Sequence, residues 1–475
     1  MLSGHEIIRA TGGTLLRGGA DRVVKGISTD SREPAQGKLF IPLIGERFDG
    51  HDFLAAAIRD GAGGVLVQRG REFKVSADTS GAMVILVADT LQALGDLAHF
   101  WRKKFPVPVL AITGSSGKTT TKEMAAGIMG IRKKTLSTRG NFNNLVGLPL
   151  TLFRLNEGHE AAILELGTNT RGEIARLTLI AAPDVGIITN IGAAHLEGFK
   201  SIEMVREEKS DIFRNMPAGG TAVMNSDDKE LIFMEKAWQG KRVTYGIKND
   251  ADVAAEEIIN GGDEGVRFVL KIGNTREEIA MRSVGEHNIM NALAAAAAAT
   301  ALGMGHAEIC RGLSAFKPVH SRMEIHRLKN GAFLIDDTYN ANPSSLREAV
   351  KTLEKLRGGH ESTIILGDML ELGDRSVELH EESGMLIADT GVSALFLKGA
   401  FARATARGAI KKGMTEERLF FPENPDNVSS LLKSRLKKGD WVLVKGSRRT
   451  QMDLFVQEIL DTFGVEEGGR QTTGN

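Results

Sequence analysis

The chain has 475 residues, of which 42% are hydrophobic and 25% charged, the proportions of a soluble globular protein. Lys plus Arg and Asp plus Glu total 60 each, so the formal net charge is zero; this argues against a general nucleic-acid binder, which carries a basic excess, and leaves room for a local basic pocket. One cysteine, Cys310, excludes an internal disulfide framework and a Cys-rich zinc site, and reads as a small buried apolar residue.

At roughly 100–200 residues per domain, two to four domains are expected. The N-terminal MLSGHEIIRATGG lacks the basic and apolar segments of a signal peptide, and no apolar run reaches the ~18 residues of a membrane span. A cytoplasmic location with no membrane span follows as the expectation. Short apolar runs (KLFIPLIG, GGVLVQ, AMVILVAD) and a helix, DTLQALGDLAHFWRKKF, N-capped by Asp89-Thr90, predict a small mixed α/β domain over 1–105. FPVPV at 105–109 then reads as a stiff linker.

From 106 to 317 the apolar runs VLAIT, AAILELG, DVGIITNIG and GTAVMN alternate with helical patterns. Near-continuous apolar strands predict a parallel sheet buried on both faces, hence a doubly wound α/β domain. NALAAAAAATALG reads as a buried helix. AFKPVHSRMEIH at 315–326 marks the next boundary, and AFLIDD, STIILGD, ALFLKG and DWVLVKG predict a third, Rossmann-like α/β domain over 318–462. The Gly-rich 463–475 reads as a flexible tail. No internal repeat is present.

Ligands of doubly wound sheets bind beyond the carboxyl ends of the strands, so the residues there carry the argument. TGSSGKTT, Thr113 to Thr120, is a strand-turn-helix junction resembling a phosphate loop, although Ile112 stands where the common loop has its first glycine. Backbone N–H groups of Gly114, Ser115, Ser116, Gly117, Lys118 and Thr119 are expected to converge on phosphate, with Lys118 as cation and the Thr119 hydroxyl on Mg²⁺. Glu165 ends the next strand and needs a partner, either a metal or a structural arginine. His195 follows the third strand, as a site residue or a structural histidine; Lys209 lies in the charged run MVREEKSDIF, which by itself reads as a solvated face. Asp184 lies at the wrong strand end and reads as structural. Asn288 and Asn291 suit an adenine edge or helix capping. In the third domain, Arg322, the run DDTYNANPSS with Asp337, Tyr339 and Asn340, LGDMLELG, and Lys445 with Arg448 lie at strand ends; Ser344-Ser345 suits a helix cap. Ser28, Asp30, Ser31 and Arg32 form a polar cluster, or simply a turn.

Taken together and in order, TDSR with GERFDGHDF, TGSSGKTT, NFNNLVGLPLTL, ELGTNTRGEI, TNIGAAHLEGF with EEKSDIF, GEHNIMNALAA, SRME, DDTYNANPSS, LGDMLELG and VKGSR resemble the Mur ligase family over nearly the whole chain. DDTYNANPSS with LGDMLELG is the most specific part, and it points to the branch that adds D-alanyl-D-alanine. The resemblance implies an ATP-dependent ligase that phosphorylates the terminal carboxylate of a UDP-MurNAc-tripeptide and passes the acyl group to the amine of D-Ala-D-Ala, as a monomer with no nucleic-acid partner. It implies Thr119 and Glu165 on one Mg²⁺ and His195 on a second, with Lys209 carbamylated and holding metal. Catalysis would rest on Lys118, Lys209, His195 and Glu165. Nucleotide would be held by Thr113 to Thr120 with Asn288, Asn291, Arg322 and Asp337. Substrate would be held by Ser28, Asp30, Ser31, Arg32, Asn144, Tyr339, Asn340 and Lys445. The chain departs from the family in one place: Lys209 is followed by Ser-Asp where relatives often have Gly-Glu. A folylpolyglutamate synthase-like ligase would lack the 27–53 cluster; a phosphate-loop switch would need neither His195 nor Lys209. The three-part site implies that the third domain closes over the loop.

Overall fold

The computed structural model describes residues 1–33, 35–75, 81–194 and 196–466. Three main sheets follow one another along the chain. The first runs Thr14–Arg17, Met83–Val87, Gly64–Gln68, Leu39–Phe40, Ile27–Ser28, with only the Thr14–Arg17 edge antiparallel. The helix Thr90–Lys103 leaves this sheet, and Asp89 caps it by accepting from the Gln92 N–H at 2.7 Å, as the sequence predicts. The following Phe105 and Val107 pack on the central core.

The central sheet has nine strands in the order Thr275–Met281, Val266–Ile272, Val253–Asn260, Lys241–Gly246, Thr221–Asn225, Val185–Ile188, Val109–Thr113, Ala161–Glu165, Thr135–Ser137. Seven are parallel; the 266–272 and 275–281 strands add an antiparallel extension that the apolar runs did not disclose. Val109–Thr113 lies between Ala161–Glu165 and Val185–Ile188, so the chain winds away from it in both directions and opens a crevice at its carboxyl end. Every residue of Val109–Thr113 and Ala161–Glu165 is buried, which explains why both are apolar up to their last residue. The helix Glu286–Ala301 packs its alanine run against Met124, Ile128 and Met129 of the helix Lys118–Gly130. At such a contact small side chains let the two helices approach, and an Ala296→Leu change would overpack it by about 1–3 kcal/mol. Asp184 is structural, as read: its carboxylate accepts from the Val109 N–H at 2.8 Å and fixes the start of the central strand.

The third sheet runs Glu324–Arg327, Phe333–Asp337, Trp441–Lys445, Ser362–Gly367, Ala394–Lys398, Leu419–Phe420, parallel except at the first edge. Asp337 and Lys445 are register partners on adjacent strands. The first residues of the expected 463–475 tail belong to the fold. Phe463 ends the helix Asp453–Phe463, Val465 bridges Leu328, and the Glu466 N–H donates to the Arg327 carbonyl at 3.0 Å, because the sheet edge offers unpaired backbone groups there. The remainder of the expected tail lies outside the described residues. No described helix is long and apolar enough to cross a membrane.

Candidate active site

A cleft of about 1200 Å³ opens at the carboxyl end of Val109–Thr113, walled by the central and third sheets. Its floor is the turn 114–117 and the first turn of Lys118–Gly130. Ile112 is a fully buried strand residue, so the shorter loop begins two residues later, at Gly114. Gly117 has φ 79°, and a Cβ there would sit 2.3 Å from Asn291 Oδ1; this position needs glycine twice over. The loop is bolted to the neighbouring strand end. Asn190 accepts from the Ser115 N–H through its carbonyl and from the Ser116 N–H through Oδ1, both at 3.0 Å, while Thr189 Oγ1 donates to the Ser116 carbonyl at 2.6 Å. The expectation that all N–H groups from Gly114 to Thr119 face phosphate is corrected accordingly: those of Ser115 and Ser116 are taken by Asn190. The Lys118, Thr119 and Thr120 N–H groups open the helix and have no intrahelical acceptor. Thr113 and Gly114 lie in the buried base of the loop, while Ser115 to Thr120 line the cleft. Lys118 Nζ donates to the Gly114 carbonyl at 2.8 Å, and burial pushes its pKa down, with Glu165 opposing and Arg322 adding to the shift.

Glu165 is buried, and its partners are neutral rather than arginine. Oε2 accepts from Thr119 Oγ1 and Oε1 from Asn143 Nδ2, each at 2.8 Å. Its own N–H donates to Thr138 Oγ1 at 3.0 Å, and the fully buried Lys122 donates to the Thr138 carbonyl at 2.6 Å. Asn144 also lines the cleft, but its Oδ1 is committed to the Val146 and Gly147 N–H groups at 3.1 and 2.8 Å. Asn143, its neighbour, is the residue that reaches the carboxylate.

Asn288 and Asn291 are buried in the cleft wall and bonded to one another. Asn291 Nδ2 donates to Asn288 Oδ1 at 3.1 Å, Asn288 Nδ2 donates to the Val284 carbonyl at 2.8 Å, and Asn291 Oδ1 accepts from Thr121 Oγ1 at 3.3 Å. Neither is the N-cap of their helix; Gly285 is. Next to them, burial lowers the pKa of His287, opposed by Asp337 and Glu348, which favours the neutral imidazole.

The third sheet supplies the opposite wall. Lys445 is buried and donates to Asp337 Oδ2 at 2.6 Å and to the Asn340 carbonyl at 3.0 Å. Arg322 stacks 3.9 Å above the Tyr339 ring, between Ser321 and Met323, which both adopt left-handed φ (57° and 52°). Its Nη2 donates to Thr119 Oγ1 at 2.8 Å, and its buried Nε has no hydrogen-bond partner. Asn342, not Ser344, caps the helix Pro343–Arg357, with Ser345 closing the capping box; Asn342 Nδ2 also reaches the Ser115 carbonyl at 3.5 Å. The third domain therefore already rests on the loop.

Among the described residues, the other expected ones do not line the cleft. Lys209 is buried in the helix Ile202–Arg214, so its charged neighbourhood is not a solvated face. Burial holds its pKa well below the usual lysine range, the Lys118 charge lowers it further, and Glu208 opposes. Glu208 itself accepts from the Gly172 and Ile174 N–H groups at 2.6 and 2.8 Å, at the start of the helix Glu173–Ala181. His195 lies outside the described residues. Ser28 ends a strand of the first sheet, Asp30, Ser31 and Arg32 lie in the turn after it, and none of the four lines the cleft. Arg32 pairs with Asp30 at 2.6 Å and lowers its pKa to about 2, and Ser28 Oγ donates to the Asp30 carbonyl at 3.1 Å.

Family models match in three blocks: Mur ligase family, catalytic domain, over 23–102; Mur ligase middle domain over 112–299; and Mur ligase, glutamate ligase domain, over 321–448. The chain belongs to the Mur ligase family. The blocks follow the three sheets. Among Mur ligases, the UDP-N-acetylmuramoyl-tripeptide–D-alanyl-D-alanine ligase of Bacillus subtilis is 36% identical over 441 residues, covering 93% of this chain and 94% of the relative. A crystal structure of MurF from Acinetobacter baumannii superposes with TM-score 0.88 at 32% identity, over 97% of this chain and 98% of that one. MurF from Thermotoga maritima, solved in complex with ADP, superposes with TM-score 0.83 at 27% identity, over 93% and 99%. The Mur ligase cleft contains partners that sequence reasoning passed over: Asn143, Thr138, Lys122, Thr189, Asn190 and Asn342. Thr189-Asn190, directly after the third apolar strand, was the readable signal.

Proposed function

We propose that this chain joins D-alanyl-D-alanine to UDP-N-acetylmuramoyl-tripeptide at the expense of ATP. The observation that carries the reading is the meeting of the phosphate loop with Arg322, Asp337 and Lys445 in one cleft, in a chain that matches ligases of that name over nearly its full length. A carboxylate oxygen attacks the γ-phosphorus and ADP leaves. The dipeptide amine then attacks the acyl carbon, inorganic phosphate departs with the bridging oxygen, and the nitrogen loses a proton.

The chain's contribution is positional and electrostatic. The Lys118, Thr119 and Thr120 N–H groups and the positive helix end hold phosphate oxygens. Lys118 exchanges its hold on the Gly114 carbonyl for phosphate, so two anions can approach one another. Arg322, with an uncommitted Nε, holds the transferring group from the third domain, and Asp337 approaches the nucleotide from the same side. Asn288 and Asn291 fix the base. Tyr339, Asn340 and Lys445 shape the dipeptide side, Asn144 the muramoyl-peptide side, and Ser28, Asp30, Ser31 and Arg32 the UDP end.

The residues fit Mg²⁺: a hydroxyl and a buried carboxylate meet at Thr119 and Glu165, two hard oxygen donors, with the Asn143 amide N–H holding the carboxylate in place. Thr119 and Glu165 would hold one ion, His195 and Lys209 a second. When bound, the ions neutralise phosphate charge. Burial favours the neutral amine of Lys209, the form that adds CO₂, so we assign a carbamate there. The enzyme is taken to act as a cytoplasmic monomer; light scattering at twice 51.2 kDa would overturn the monomer. The deciding assay is phosphate release with ATP, UDP-MurNAc-tripeptide and D-Ala-D-Ala. Release should require both acceptor substrates, and hydrolysis independent of both would overturn the reading.

A further inference from the structure

Far from the cleft, where the antiparallel extension meets the helix His306–Ser314, three side chains of metal-binding type converge: Glu277, His306 and Cys310. His306 and Cys310 are four positions apart and share one helix face. Glu277 comes from the edge strand Thr275–Met281. Their ligand atoms all lie within 4.8 Å of one another. His306 Nδ1 is 3.6 Å from Cys310 Sγ and 3.4 Å from Glu277 Oε2.

These spacings can be compared with a zinc tetrahedron. Bond lengths of about 2.3 Å to sulfur and about 2.0–2.2 Å to nitrogen and oxygen give edges of about 3.6 Å (S to N) and about 3.4 Å (N to O). Both observed separations match, and the third edge, from sulfur to the carboxylate oxygen, lies within 4.8 Å. We propose that Glu277, His306 and Cys310 bind one divalent transition-metal ion of the zinc class, with the fourth position open to solvent on the half-exposed Glu277 side. The thiol and imidazole exclude Mg²⁺ and Ca²⁺ as the natural occupants.

The surroundings set the strength. Burial pushes the Cys310 thiol up to about 12, and the Glu277 charge adds to it, so the thiol stays protonated until a cation arrives. His306 Nε2 is buried without a partner, so the outer hydrogen bond that usually supports a ligating imidazole is missing. That absence weakens affinity by about 10–100-fold relative to a fully supported site. The site therefore loads and releases its ion reversibly.

Cys310 is the chain's one cysteine, so a thiolate-to-cobalt charge-transfer band can arise nowhere else. Titration of the chelator-treated full-length protein with Co²⁺ should give that band, saturating at one ion per chain and displaced by Zn²⁺. Cys310→Ser should abolish it, and His306→Ala should raise the Co²⁺ concentration for half-saturation at least 10-fold. No band in the unmodified protein at saturating Co²⁺, or unchanged half-saturation in His306→Ala, would overturn the proposal.

Discussion

Arg322 donates to the hydroxyl of Thr119 across 2.8 Å, joining residues 203 positions apart in the chain. The same hydroxyl donates to Glu165, so one threonine links the guanidinium of the third domain to the buried carboxylate of the central one.

Arg322→Ala should therefore lower kcat/KM for ligation by roughly 10²–10³-fold, the usual loss for a donor aimed at developing charge. Arg322→Lys should restore little, because an ammonium can neither stack flat on Tyr339 nor present two donor edges. Steady-state kinetics with all three substrates check this; a lysine variant within about 3-fold of the parent would contradict it.

Gly117→Ala places a Cβ against Asn291 Oδ1 in a left-handed turn. The conformation alone costs roughly 1–2 kcal/mol. ADP affinity, measured calorimetrically, should fall at least 10-fold. Adding Asn291→Ala should not restore it, since that change relieves the contact but leaves the backbone strain and removes one of the two amides proposed to fix the base.

How far these features were legible depends on where the information lies. The loop, Glu165, Asp337 and Lys445 stood out because a polar residue directly after a buried apolar strand is anomalous in sequence. Asn143 and Asn144 could not be told apart, since which adjacent amide faces the carboxylate is set by a turn that carries no periodic signal. The strand Thr275–Met281 escaped notice because it opens on the polar run Thr-Arg-Glu-Glu, and Val253–Asn260 because Glu256 and Glu257 interrupt its apolar residues where the register shifts. The contact between Lys122 and Thr138 joins a helix to an edge strand, and nothing in the local sequence encodes it.

Lys122 makes a prediction of its own. Lys122→Met removes the donor to the Thr138 carbonyl and loosens the hydroxyl that accepts from the Glu165 N–H. If Glu165 holds Mg²⁺ as proposed, the Mg²⁺ concentration for half-maximal activity should rise about 10-fold, in line with lost support behind a metal ligand. KM for the dipeptide should stay put; a parallel rise in both would indicate general loosening instead.

Lys209→Met should separate stability from activity. The buried amine has its pKa depressed below its ordinary 10.5. Between the folded value and 10.5 the unfolded chain binds the extra proton, so this residue's contribution to stability rises with pH across that window and is lowest below it. Methionine removes the penalty. The variant should be inactive, more stable at pH 7 by about 1–3 kcal/mol, and flatter in its pH dependence, as denaturant melts across pH would record. Lys209→Ala should regain partial ligation with a short-chain carboxylate; full activity without one would remove the carbamate from the mechanism.

The free donors at the head of Lys118–Gly130 belong to the main chain. A side-chain contact can be deleted by one codon change, but an amide N–H survives every substitution except proline. An inhibitor that hydrogen-bonds to the Lys118, Thr119 and Thr120 amides would thus leave few escape mutations. The simplest ones alter the turn glycines, and those would also cost the protein its own nucleotide site.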